Sequence, residues 1–148
     1  MNSPFQRLHH ICVVVADIDR AVEFYTSVGI GPWQDYPPLT QYTELDVPSR
    51  DGFLGLKYKY ADVGGIQYQL VEPGDGDSPQ QQFLDTHGEG VFHLGFVVDD
   101  LAEGTAAAAG LGVRPWMTGR RPDGSGFTYF DTRARAGVTI EIRQSPTS

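Results

Sequence analysis

"LHHICVVVADI", residues 8–18, and "GVFHLGFVVDDL", residues 90–101, carry one pattern twice. Superposed, they align His10 with His93, Val14 with Val97, Val15 with Val98 and Asp17 with Asp100. Each run is short, apolar and rich in β-branched residues, the composition of a buried strand. The chain is internally duplicated.

The duplication continues beyond the strands. Asp17 can cap a helix through "DIDRAVEFYTSV", whose apolar residues recur at helical spacing until Gly29 stops it. Three strand candidates follow, "QYTELDV", "FLGLKYKYADV" and "IQYQLVEP", separated by the turn residues "PSRDG" and "GG". In the second half Asp100 caps "LAEGTAAAA", Gly110 and Gly112 end it, and "VRPWMT", "FTYFDTR" and "VTIEIRQ" read as strands. Both halves are βαβββ. Between them, Ser78 as cap and Pro79 at the first helical position predict a short connecting helix. We read residues 1–148 as a single domain, with modules at 5–73 and 91–144, a structured linker at 74–90 and a frayed end at "SPTS".

Composition narrows the function. Of 148 residues, 40% are hydrophobic and 20% charged, a globular balance, and no apolar stretch approaches the roughly 20 residues of a membrane span. A net charge of −8 repels phosphate backbones, so nucleic acid and membrane are not expected as partners. One cysteine, Cys12, cannot form an intrachain disulfide, and "MNSPFQRLHH" lacks a secretory core; a cytoplasmic protein is expected.

Alternate side chains of a strand share a face, so His10 lies with Cys12 and Val14, His93 with Gly95 and Val97, Gln69 with Gln67 and Val71, and Glu141 with Thr139 and Arg143. Aligning "YQLVEP" with "IEIRQS" pairs Gln69 with Glu141, as His10 pairs with His93. Halves packed about a pseudo-twofold axis then bring two imidazoles, an amide oxygen and a carboxylate into one cleft. That donor set suits zinc, cobalt, nickel, manganese or iron and leaves positions open for substrate oxygens. Ligation is expected to fail below about pH 6.5, where free imidazoles protonate. His9 is expected to face away from His10, and His87 to sit in a loop.

Nearly the whole chain resembles the vicinal oxygen chelate superfamily, which includes glyoxalase I, extradiol dioxygenases, resistance proteins and methylmalonyl-CoA epimerases. "LHHICVVVADIDRAVEFYTSVGIGPW" looks like its opening unit, and "QLVEPGDGDSPQQQFLDTHGEGVFHLGFVVDDL" is most similar to the epimerases. The resemblance implies an α+β fold, two βαβββ modules related by pseudo-twofold symmetry forming a curved mixed sheet around a metal-binding cleft. It also implies metal ligation by His10, Gln69, His93 and Glu141, the same set reached from the duplication. The implied activity is isomerisation or epimerisation through a metal-stabilised enolate, on a methylmalonyl-CoA-like thioester, by a homodimer. The alternatives are a glyoxalase-like lyase, an iron-dependent dioxygenase or a non-catalytic binding protein.

Epimerisation needs proton carriers on both sides of the reacting carbon. Glu141 matches one. The epimerases' second carboxylate has no counterpart glutamate in "DVPSRDGF", where Asp51 is nearest and Glu44 a second candidate. "GRRPDGSGF" offers Arg120 or Arg121 to an anion, or is a hairpin turn. Trp33, Tyr36, Trp116, Tyr129 and Phe130 are candidates for an apolar wall.

Overall fold

In the computed structural model, which describes residues 3–146, nine strands form one curved, unclosed mixed sheet accompanied by five helices. Thr147 and Ser148 of the frayed end lie outside the described residues. The first half contains β1 (Leu8–Val14), α1 (Ile18–Ser27), β2 (Gln34–Asp35), β3 (Glu44–Asp46), α2 (Arg50–Leu54), β4 (Lys57–Val63) and β5 (Ile66–Glu72). Helix α3 (Pro79–His87) connects it to β6 (Gly90–Val97), α4 (Leu101–Gly110), β7 (Pro115–Arg120), β8 (Gly126–Phe130), α5 (Arg133–Ala136) and β9 (Thr139–Gln144). The sheet order is β2-β4-β5-β1-β6-β9-β8-β7-β3. The α+β fold of paired βαβββ units is as expected.

Local chemistry starts the helices alike in both halves. Asp17 accepts from the Arg20 amide at 3.1 Å and Asp100 from the Glu103 amide at 2.8 Å, so the repeated aspartates satisfy an otherwise orphaned N–H at each helix start. Ser78 does the same for α3 through the Gln81 amide, and Gly112, at φ +81°, follows α4 in the left-handed conformation open to glycine.

The core has three parts. Val13, Val15, Ile18 and Leu70 pack beneath α1, and Leu101, Ala108, Phe130 and Ile142 pack beneath α4. The opposite face collects Cys12, Val14, Tyr42, Phe53, Val71, Phe92, Phe127 and Tyr129 into the cluster that surrounds the cleft. β1 alternates between these faces, which is why neighbouring valines serve different clusters.

Three expectations change. "QYTELDV", read as a strand of the first half, supplies β3, but β3 pairs antiparallel with β7 of the other half, Leu45 opposite Gly119. Gln34 and Asp35, from "GIGPWQDYP", pair with β4. Residues 50–54 of "SRDGFL" form a helical turn because Ser49 caps the Gly52 amide, so the predicted strand begins only at Lys57. The sheet's outer edges are therefore strands of two and three residues, which leave few free backbone groups for edge pairing.

Candidate metal centre and cleft

β1 and β6 run antiparallel at the centre of the sheet, with His10 opposite Gly95 and Cys12 opposite His93. Each strand then pairs in parallel with the closing strand of its own half: Cys12 faces Gln69, and Gly95 faces Glu141. The register is the same in both halves. Gln69 and Glu141 consequently occupy equivalent places, one residue row from the two histidines.

The donors meet. His10 Nε2 lies 3.0 Å from His93 Nε2 and 3.0 Å from Glu141 Oε1, and His93 Nε2 lies 3.6 Å from Glu141 Oε2. All three side chains are buried. Ligating atoms about 2.0–2.1 Å from a shared cation stand roughly 2.8–3.4 Å apart in octahedral or tetrahedral geometry, so the two 3.0 Å separations are those of a divalent-cation cradle and the 3.6 Å one is slightly wider. Glu141 Oε1, though near His10, has no aligned hydrogen bond, and neither does His93 Nδ1. A buried carboxylate oxygen without an aligned donor is costly, and a cation beside Glu141 Oε1 relieves that cost. Among the described residues, His10, His93 and Glu141 form the group of such donors able to hold a metal.

Gln69 lines the same cleft and is buried, its amide nitrogen donating to Gln67 Oε1 at 2.6 Å. The atom of Gln69 that remains for a cation is its carbonyl oxygen.

His9 does not face away. A register shift between Leu8 and His10 turns its ring toward His10, with the two Nδ1 atoms 2.8 Å apart. If His10 Nδ1 carries the proton and donates it to His9, His10 Nε2 keeps its lone pair for the cation; such a contact selects the ligating tautomer. The spacing of residues in a regular strand gives no sign of this, because a bulge resets the alternation. His87 is the last residue of α3 and stacks on Phe83 at 4.5 Å.

Electrostatics separate these groups. Burial, partly opposed by Glu141, pushes His93 down to about 3. Burial alone would push the Glu141 carboxyl up, but the facing His10 and His93 rings outweigh it and hold it at about 2. Burial, with Arg143 and His10 adding to it, lowers His9 to about 4. Near neutrality His93 is thus an uncharged donor and Glu141 an anion. Burial raises the phenols of Tyr58 and Tyr129 well above their ordinary value, so both stay protonated.

The cleft around these donors is narrow, a cavity of about 30 Å³ opening to solvent. Tyr36, Tyr42, Phe53, Tyr58, Phe127 and Tyr129 form its aromatic wall, and Arg121 and Arg143 bring positive charge to it. Of the five aromatics expected there, Tyr36 and Tyr129 line it. Trp33 instead packs with Tyr25 and Tyr68 beside α1, Phe130 belongs to the cluster beneath α4, and Trp116 is 40% exposed. The sequence singles out neither Tyr58 nor Phe53, since aromatics in strands and turns give no signal of which side they face.

Neither candidate for a second carboxylate lines the cleft. Asp51 is exposed in the first turn of α2, and Glu44 is exposed on β3 opposite Arg120; neither lines the cavity that holds His10, Gln69 and Glu141. Capping by Ser49 turns the segment that carries Asp51 into a helix, and the pairing of β3 with β7 takes Glu44 to the sheet edge.

Residues 9–130 match the family described as the Glyoxalase/Bleomycin resistance protein/Dioxygenase superfamily. The uncharacterized protein YqjC of Bacillus subtilis (strain 168) is 26% identical over 140 residues, covering 92% of this chain and 90% of that one. The crystal structure of methylmalonyl-CoA epimerase from Mycobacterium tuberculosis superposes with a TM-score of 0.76 at 26% identity, over 99% of this chain and 93% of that one. A variant of the Streptomyces coelicolor methylmalonyl-CoA epimerase, solved in complex with 2-nitronate-propionyl-CoA, gives 0.75 at 26% identity over 97% of this chain and 99% of that one.

Proposed function

The chain belongs to the glyoxalase/bleomycin resistance protein/dioxygenase superfamily, and from that premise we propose that it is a divalent-metal-dependent isomerase or epimerase that moves a proton next to a substrate carbonyl. The observation that carries this reading is the meeting of His10, His93 and Glu141 at cation-sharing distances. Similarity to methylmalonyl-CoA epimerases supports an epimerase-like role and an acyl thioester as substrate class. We also read the protein as a cytoplasmic homodimer with a small-molecule substrate; among the described residues no helix is long and apolar enough to cross a membrane.

His10, His93 and Glu141, joined by the Gln69 oxygen, would hold zinc, cobalt, nickel, manganese or iron. Bound there, the ion supplies Lewis-acid stabilisation of the negative charge that develops on a substrate oxygen when the adjacent carbon loses its proton. Glu141, anionic near neutrality, accepts that proton. Asp51 and Glu44 do not line the cleft, and we assign the opposite side to a phenol that does, for which Tyr58 and Tyr129 are protonated donors. The aromatic wall excludes water from the carbanion face.

The test is elemental analysis of the purified protein followed by incubation of the metal-loaded chain with acyl-CoA thioesters in deuterated water. Metal near one equivalent and deuterium entering the α position, with loss of exchange in Glu141→Gln, is expected. Absence of exchange in every thioester tried would overturn the reading.

A further inference from the structure

We infer that Arg121 is an anion receptor at the hairpin end of the cleft, so that the substrate bears a free carboxylate held there while its reacting carbonyl lies at the cation site. The inference deepens the reading above, on which the identity of the reaction still rests.

Arg121 is only 8% exposed, and a buried guanidinium is costly unless its donors are matched. Its plane lies over the Tyr42 ring at 4.5 Å. Nη2 donates to the Tyr42 hydroxyl at 2.8 Å and Nη1 to Ser125 Oγ at 3.1 Å, while Ser125 Oγ donates in turn to Asp123 Oδ1 at 2.5 Å. These contacts fix the orientation of the group through two hydroxyls. Nε is buried and has no acceptor. The Nε edge of a guanidinium is one of the edges that fit a carboxylate with two parallel N–H bonds. An oriented, buried arginine whose Nε–H lacks an acceptor, in the wall of the cleft that also holds His10, Gln69 and Glu141, is a built receptor for an oxyanion.

Its position sets the length of the ligand. Glu141 pairs with Tyr129 across β8 and β9, and the β7–β8 hairpin closes with Arg120 opposite Gly126. From Tyr129 to Gly126 is three residues, roughly 10 Å of strand at about 3.4 Å per residue. Side chains at both ends shorten that gap, and dicarboxylates of graded length, from malonate to adipate, measure it. Phe53, Tyr58 and Phe127 line the space around it and suit an apolar spacer.

Calorimetric titration of glutarate and of its dimethyl ester into zinc-loaded and metal-free protein tests this, with wild type, Arg121→Lys and Arg121→Gln compared. Glutarate is expected to bind wild type in both forms, the ester at least tenfold more weakly. Arg121→Gln should lose at least tenfold in glutarate affinity and Arg121→Lys less, with zinc content unchanged. Equal binding of diacid and ester, undiminished binding by folded Arg121→Gln, or no binding of any diacid from malonate to adipate would each overturn the inference. Should Arg121→Gln fail to fold, the lysine variant and the ester comparison decide it. A protein that takes up none of zinc, cobalt, nickel, manganese or iron but binds glutarate through Arg121 would remove the proposed reaction and keep the receptor.

Discussion

Gly95 lies directly beneath the His10 imidazole: a β-carbon built there would fall inside the ring. Its equivalent in the duplicated frame is Cys12, which is fully buried opposite His93. One half of the sheet thus uses a missing side chain to seat its histidine.

Gly95→Ala should therefore move His10 out of place. We expect at least a tenfold loss of zinc affinity and about 1–3 kcal/mol of stability, the usual cost of overpacking a filled site. Zinc titration and thermal melts of the metal-free and loaded variant check both. Unchanged zinc affinity would mean that His10 does not ligate.

His9 positions His10 without reaching the cation, through the 2.8 Å contact between their Nδ1 atoms. His9→Ala should lower metal affinity by about 10–100-fold, as loss of an outer hydrogen-bond partner does, while His9→Gln restores part of it. Competition with a chelator measures this directly; equal affinities for His9→Ala and wild type would refute the role.

Acid should destabilise the metal-free chain in a defined window. His93 and Glu141 both have folded values, about 3 and about 2, below their ordinary ones of 6.5 and 4.5. Between the paired values the unfolded chain binds more protons, so stability is fully present above about pH 6.5 and is lost as pH falls toward 2. Denaturant melts across that range should follow this course, and His93→Phe should flatten its upper part. The same burial keeps His93 uncharged well below the pH 6.5 of a free imidazole, so its own protonation contributes to metal release only in stronger acid.

Asp51→Asn and Glu44→Gln should leave turnover within about twofold of wild type, since both residues are exposed away from the cleft. Glu141→Gln should reduce it by about 10²–10⁴, the range for loss of a positioned proton carrier. Steady-state rates of the metal-loaded variants separate the two cases. A hundredfold loss in Asp51→Asn would restore it as the second carboxylate.

Much was legible in the linear pattern because it depends on neighbours along the chain. Capping by Asp17, Asp100 and Ser78, the apolar strands around His10 and His93, and the duplication that pairs Gln69 with Glu141 all follow from short-range spacing. The location of Asp51 was not legible, because "PSRDG" suits a turn or a capped helix equally, and Phe53 packing on Phe127 selects the helix.

The sequence by itself determined that there are two equivalent halves and which polar residues share their inner faces, since strand alternation and repeat are properties of order alone. Only the tertiary structure decided that β3 crosses to the other half, that a bulge turns His9 onto His10, and that Arg121 is buried on Tyr42 in the cleft. Those outcomes depend on which surfaces meet when the sheet curves, and a linear pattern carries no information about contacts between residues that come together only on folding.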